Sequence, residues 1–390
     1  MPANPGYLNY RRGGMLPKSS HEKSGGYHFL KEKIFTDGIT ETMRKLPKNL
    51  AALCGLSLIA TSSLQAADLP DPDGKPADMT KPVQVFIIMG QSNTLEMGKV
   101  TPNLGELYPF MTDAAGKWTI RQDVRNVSIM QKGDSGNVYR NDWMATNDKK
   151  IGIEIGIGHQ LGNALDAPVM VLKSSIGNRG LGWDLLPPGS ARYTYEGQEV
   201  PGYKETFKDK NDKTIVPFVK DGPCLQWYAG KQYDDDVANA KKVLADLNTY
   251  YPDAKSYEVA GFLWWQGDKD RYSAAHASQY EKNLVALINA LRKDFNAPKA
   301  KFVCATLGQT AKDAPVDAKG ANDKMIFDAQ LAVDGETGKH PEFKGNVATV
   351  YTHPLSKGGA SNGHYSGNVE TYTNVGLAMG EAMTNLLKSK

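Results

Sequence analysis

The chain has 390 residues, 40% hydrophobic and 23% charged, enough to bury a full core in one large domain or two small ones. Its 46 basic and 43 acidic residues leave a formal net charge of +3, which gives no electrostatic basis for binding nucleic acid or a membrane surface. A small molecule or a glycan is the expected partner.

Residues 1–42 are polar, Gly-rich and without apolar periodicity. From Met43 the stretch MRKLPKNLAALCGLSLIATSSLQAADLP has the three parts of a secretory signal peptide: Arg44, Lys45 and Lys48 in front, an apolar run at 50–60, and small residues for cleavage at Ala66 and Ala67. The run is too short for a stable membrane span. Cys54 lies inside it and follows Leu53, which argues against a lipidation site. The expectation is an exported chain, periplasmic or secreted, with 1–67 as extension and signal. Only Cys224 and Cys304 would then remain, so the mature protein is no disulfide scaffold. Whether they pair is not legible in the sequence.

After a Pro/Asp-rich leader at 68–82, apolar strands are expected at 83–89, 126–130, 168–176, 257–265, 301–307 and 347–352. Helices are expected between them near 153–165, 234–250, 274–294, 322–333 and 371–388. Asp234, Asp235 and Asp236 open the second of these, where negative charge suits a helix N-terminus. This rhythm predicts one domain over 83–390: a three-layer α/β/α sandwich around a mostly parallel sheet of five to six strands. Ligands in such sheets bind beyond the C-terminal strand ends. Residues 187–232 break the rhythm and read as a long insertion on that face, with room for a short hairpin. Its Tyr193, Tyr195, Tyr203, Trp227 and Tyr228 either offer platforms to sugar rings or pack the insertion down.

The first strand, VFIIM, runs out into Gly90, Gln91, Ser92 and Asn93. A serine presented there can be a nucleophile whose own N–H faces an oxyanion hole, or Ser92 and Asn93 can simply cap the next helix. A nucleophile needs a base. His21 and His28 fall in the 1–67 extension, His159 and His276 sit in helices, and His340 has no supporting context. His364, in NGHYSGN just before the last helix, is the better candidate, with His353 the runner-up. In FLWWQGDKD, Gln266 and Asp268 follow another strand end: an acid there can orient a histidine and a glutamine can donate to developing negative charge, or Asp268 can be a cap. SSIGNRGLGW, 174–183, supplies a Gly-rich backbone after the third strand. Its spacing fits neither phosphate-binding fingerprint.

Taken in order, GQSN, the Gly loop ending in Trp183, WWQGD and GHYSGN resemble the SGNH/GDSL hydrolase superfamily. Within it the likeness is to the sialate O-acetylesterase-like group, which includes carbohydrate esterase family 6. It extends over about residues 83–388, and GIEIGIGHQLG at 152–162 is similar to a helix-opening segment of that group. The resemblance implies a flavodoxin-like fold and a serine esterase that needs no metal or cofactor. It assigns Ser92 as nucleophile, His364 as base, Gly177 to the oxyanion hole, and Gln266 to the glutamine of a His/Tyr-Gln-Gly-Glu motif that joins the hole. Two departures stand out. Ser361 occupies the position, three before the histidine, where many relatives carry an Asp, so Asp268 becomes the expected acid, with a Ser–His dyad as the fallback. Asn178 and Arg179 replace small residues and, with Gln91, Asn93 and Trp183, are candidate substrate contacts. The implied substrates are acetylxylan, sialic acid or related O-acetylated sugars. Two other readings are a glycan-binding protein without turnover and a metal-dependent hydrolase using His353, His364 and Asp268, though no HExxH is present. Oligomeric state is not legible.

Overall fold

The computed structural model describes residues 77–130, 136–206, 227–314 and 320–389. The signal segment, Cys54, Cys224 and 207–226 of the insertion lie outside the described residues.

Among the described residues seven strands form the central sheet: β1 (Val83–Gly90), β2 (Ile120–Ile129), β3 (Val138–Ala145), β4 (Val169–Ser174), β5 (Tyr257–Trp265), β6 (Lys301–Ala305) and β7 (Val347–Val350). Their spatial order is β7-β6-β5-β1-β4-β2-β3, and every neighbouring pair is parallel except β2 with β3. The long helices are α1 (Glu154–Ala164), α2 (Lys231–Ala245), α3 (Tyr280–Asp294), α4 (Ala321–Ala332) and α5 (Val369–Lys388).

β1 shows why both faces are covered. Val83, Val85, Ile87 and Met89 enter one core with α2, α3 and α4, while Phe86 and Ile88 enter the other with α1 and α5. A strand buried on both faces has no polar side to show, hence its unbroken apolar run. The expected three-layer sandwich is therefore observed, with one correction: the sheet has seven strands, not five to six. The additional strand, VYRNDWMA, is an antiparallel edge that carries polar residues along its length, a pattern an edge tolerates and an apolar-run criterion misses. β2 likewise starts at Ile120, six residues before its apolar end. The helical stretch expected at 274–294 is divided at Gln279 into Ala274–Ser278 and α3. Residues Tyr193–Tyr195 and Gln198–Val200 pair as a short antiparallel hairpin within the insertion. Among the described residues no helix is long and apolar enough to cross a membrane.

Candidate active site

β1 and β5 run side by side in parallel, so Gly90 lies opposite Trp265 and the turns that follow emerge together. Gly90 has φ +147°, and a Cβ there would stand 2.6 Å from the Trp265 carbonyl oxygen. Only glycine fits this approach. The chain then tightens into the turn Ser92–Thr94, with Thr94 N–H donating to Gln91 O and Leu95 N–H to Ser92 O.

Ser92 is 9% exposed. Its Oγ makes no hydrogen bond among the described residues, yet it is not sealed among the buried unpartnered atoms. Gly177, three residues beyond β4, approaches so closely that a Cβ on it would lie 3.4 Å from Ser92 Cβ. Neither the Ser92 N–H nor the Gly177 N–H donates in the turn, loop or side-chain hydrogen bonds of the described residues. Thr94 Oγ1 and Ser175 Oγ, 2.7 Å apart, tie the two turns together.

The loop Ser361–Gly367 folds against the Ser92 turn, with Cα atoms of the two segments within 8 Å. Its backbone is unusual: His364, Tyr365 and Ser366 take φ of 50°, 50° and 55°, followed by Gly367 at 73°. Three consecutive non-Gly residues in the left-handed region cost roughly 1–2 kcal/mol each and persist only where neighbours hold them. Here Tyr365 is buried, stacked on Trp265 at 5.6 Å, and its hydroxyl accepts from Gly308 N–H at 3.0 Å. This arrangement leaves His364 half-buried. The runner-up, His353, has its Nδ1 at 2.7 Å from Gly308 O.

Asp268 is brought to the same loop but not to the histidine. Its Oδ1 accepts from Ser361 Oγ at 2.7 Å and faces Arg271 Nε at 2.9 Å. Arg271 in turn pairs with Asp323 at 2.8 Å. Among the described residues no hydrogen bond joins His364 to Ser92 or to Asp268. Ser361, three residues before His364, is thus itself held by the carboxylate of the Gln-Gly-Asp turn.

Gln266 sits in a dense hydrogen-bond network. Its Nε2 lies 2.6 Å from Asp270 Oδ2, 3.0 Å from Arg179 O and 3.1 Å from Gln91 Oε1, and its Oε1 accepts from Tyr280 OH at 2.8 Å. With three acceptors around its two N–H bonds, Gln266 knits the turns together. Gln91 is likewise engaged, since its Oε1 also accepts from Lys269 N–H. Asn93 is fully buried with both amide atoms unpartnered. Asn178 is exposed with φ 57°. Arg179 is turned away to Gln232 Oε1 at 2.9 Å and to the Trp227 ring at 5.0 Å. Trp183 is 3% exposed and packs with Leu186 and Ala229.

The sequence reading passed over Asp270. This carboxylate is fully buried and accepts from Leu181 N–H at 2.8 Å and Gly182 N–H at 2.6 Å as well as from Gln266, and so fixes the Gly-rich loop to the β5 turn. Burial raises its pKa, opposed by nearby His276 and by these hydrogen bonds. Its place four residues after Gln266, in QGDKD, was the available signal. Asp184, which holds Gly180 N–H at 2.8 Å, is pushed up to about 6 by burial. No cluster of three or more His, Cys, Asp or Glu among the described residues is arranged to hold a metal ion.

Residues 203–385 match the family described as "Carbohydrate esterase, sialic acid-specific acetylesterase". The four motifs resemble this same group. The esterase match takes in Gln266, Asp268 and His364, while Ser92 precedes it. A protein from Arabidopsis thaliana has a TM-score of 0.48 at 16% identity, over 80% of this chain and 100% of that one. A carbohydrate acetylesterase from Xanthomonas citri has 0.42 at 11%, over 77% and 55%, and NanS has 0.40 at 14%, over 71% and 79%. At these scores none of the three bears on the chemistry. A comparison with curated proteins finds no match.

Proposed function

We propose that the protein is an exported serine esterase that removes O-acetyl groups from carbohydrate through an acetyl-enzyme. The observation that carries this reading is the meeting, at one sheet edge, of an unbonded Ser92 hydroxyl, the Gly177 backbone and the His364 loop. The esterase match over 203–385 supports it.

Ser92 Oγ attacks the acetyl carbonyl carbon as His364 takes its proton. The N–H groups of Ser92 and Gly177 receive the oxyanion. The proton on His364 then passes to the departing sugar oxygen, and water, deprotonated by the same imidazole, releases acetate and restores Ser92. His364 must turn inward to reach Ser92, and catalytic hydrogen bonds are commonly long until substrate binds. Asp268 serves as the acid through the loop: its carboxylate holds Ser361, three residues before His364, and so positions the imidazole, while Arg271 shares its charge.

A second reading, a glycan-binding protein without turnover, is favoured by the commitment of Asp268 to Ser361 and Arg271. Acetate release from p-nitrophenyl acetate and from acetylated saccharides, by wild type, Ser92→Ala and Asp268→Asn in EDTA, separates the two. Turnover that vanishes in Ser92→Ala supports the esterase. A wild type silent on every acetyl ester supports the binding protein.

A further inference from the structure

Four described aromatic residues of the insertion are poor sugar platforms. Trp227 lies under the Arg179 guanidinium and donates to Asp184, the hydroxyls of Tyr203 and Tyr228 are both tied to Asp234, and Tyr193 OH donates to Ala275 O. Tyr272 is different. It ends the short turn Asp270–Tyr272, on the edge where Ser92 emerges, and is 49% exposed.

Its exposure is not accompanied by freedom. The hydroxyl accepts from Asn362 Nδ2 at 3.3 Å and from Arg271 Nη2 at 3.2 Å, and the Arg271 guanidinium sits 5.0 Å from the ring centroid over one face. Arg271 is itself clamped by Asp268 and Asp323, and its carbonyl accepts from Asn322 Nδ2 at 2.9 Å. Behind the turn, Asp270 is locked to the Gly-rich loop. The ring is therefore fixed between the acid turn and Asn362, two residues from His364. Pinning an aromatic side chain that recovers so little burial costs conformational entropy without much hydrophobic return. Its hydroxyl is already occupied, so what it offers a ligand is the ring. A rigid aromatic face of low remaining entropy suits the apolar C–H face of a pyranose.

We propose that Tyr272 is the platform on which a pyranose ring of the O-acetylated saccharide stacks, beside the acetyl group presented to Ser92. This rests on the esterase reading for its substrate class, but its test does not depend on turnover. In the full chain carrying Ser92→Ala, binding of acetylated xylohexaose and of a 9-O-acetylated sialoside is measured by calorimetry, with and without Tyr272→Ala or Tyr272→Phe. The expected result is that Tyr272→Ala weakens binding of the saccharide that binds about tenfold, while Tyr272→Phe stays within about twofold because the ring remains. In the active chain, the ratio of kcat/KM on that saccharide to kcat/KM on p-nitrophenyl acetate should fall about tenfold in Tyr272→Ala, mainly through KM. The proposal is overturned if Tyr272→Ala binds as its parent does, if Phe and Ala are equally impaired, or if neither saccharide binds. Saccharide binding that needs the Tyr272 ring, in a protein that releases no acetate, would uphold the platform and sink only the esterase.

Discussion

Lys173→Met tests the buried charge pair that underlies the Gly177 loop. Lys173 lies on β4, four residues before Gly177, with its side chain 0% exposed. Its Nζ meets Glu154 Oε2 at 2.7 Å, and Glu154 is 1% exposed. Burial alone would pull the ammonium down, but the facing Glu154 carboxylate holds its pKa above the ordinary 10.5. Methionine fills a similar volume and removes the charge. Glu154 then keeps one donor, Gly152 N–H at 2.9 Å, for a carboxylate sealed from water. Stripping one partner from a buried pair costs about 3–5 kcal/mol. A proton can relieve that penalty, and protonating a glutamate of ordinary pKa ~4.3 at pH 7 costs about 3.7 kcal/mol, which sets the ceiling at that pH. At pH 5 the same ceiling is about 1 kcal/mol. The sign follows: a carboxyl left protonated in the folded state and ionised in the unfolded one weakens the fold as pH rises above its unfolded pKa. Lys173→Met should therefore lose about 3 kcal/mol at pH 7 and about 1 at pH 5, read from guanidinium titrations followed by tryptophan fluorescence. Adding Glu154→Gln, which keeps an acceptor for Gly152, should restore most of the stability and flatten the pH dependence. A loss below about 1 kcal/mol at pH 7, or an equal loss at both pH values, would refute the reasoning.

Other outcomes follow from the same contacts. Gly90→Ala drives a Cβ to 2.6 Å from Trp265 O at φ +147°, so it should lower stability by about 2–4 kcal/mol and separate the Ser92 and Gln266 turns, seen as a lower guanidinium midpoint together with lost turnover. Gly177→Ala meets Ser92 Cβ only at 3.4 Å; it should melt like wild type while kcat on p-nitrophenyl acetate falls about tenfold or more, since the methyl crowds the carbonyl's approach. Asp184 is raised from 3.8 to about 6 by burial, so it binds a proton on folding and weakens the fold as pH rises between those values. Asp184→Asn should remove that slope, about 3 kcal/mol in all, from stability measured between pH 4 and 7.

What was legible in the sequence was whatever lies within a few residues of a strand end. The apolar runs that became β1 and β5 announced themselves, and so did the polar residues that follow them, because a doubly buried strand must stop abruptly to present a side chain. β3 hid because an edge strand keeps polar residues. The state of Gln266 hid for another reason: its amide is spent on Asp270, Arg179 O and Gln91, and its carbonyls on Tyr280 and Gln330 Nε2 at 2.7 Å. Gln91 comes from the turn after β1 and Gln330 from α4, both far from Gln266 in the sequence. The same holds for Asp268. Local spacing makes it a natural acid, and only the folded loop shows that Ser361 and Arg271 reach it first. Positive φ at three consecutive residues around His364 has no signature in GHYSGN beyond the final glycine.

The measurement that tests the central claim most directly is covalent labelling of the wild-type protein with a fluorophosphonate, followed by peptide mapping and acetate-release assays. The account predicts a single phosphonylated residue, Ser92, with acetate release lost in step with labelling and no labelling in His364→Ala. Acetate release that persists while Ser92 is fully labelled, or a label carried by any other serine as activity is lost, would contradict it.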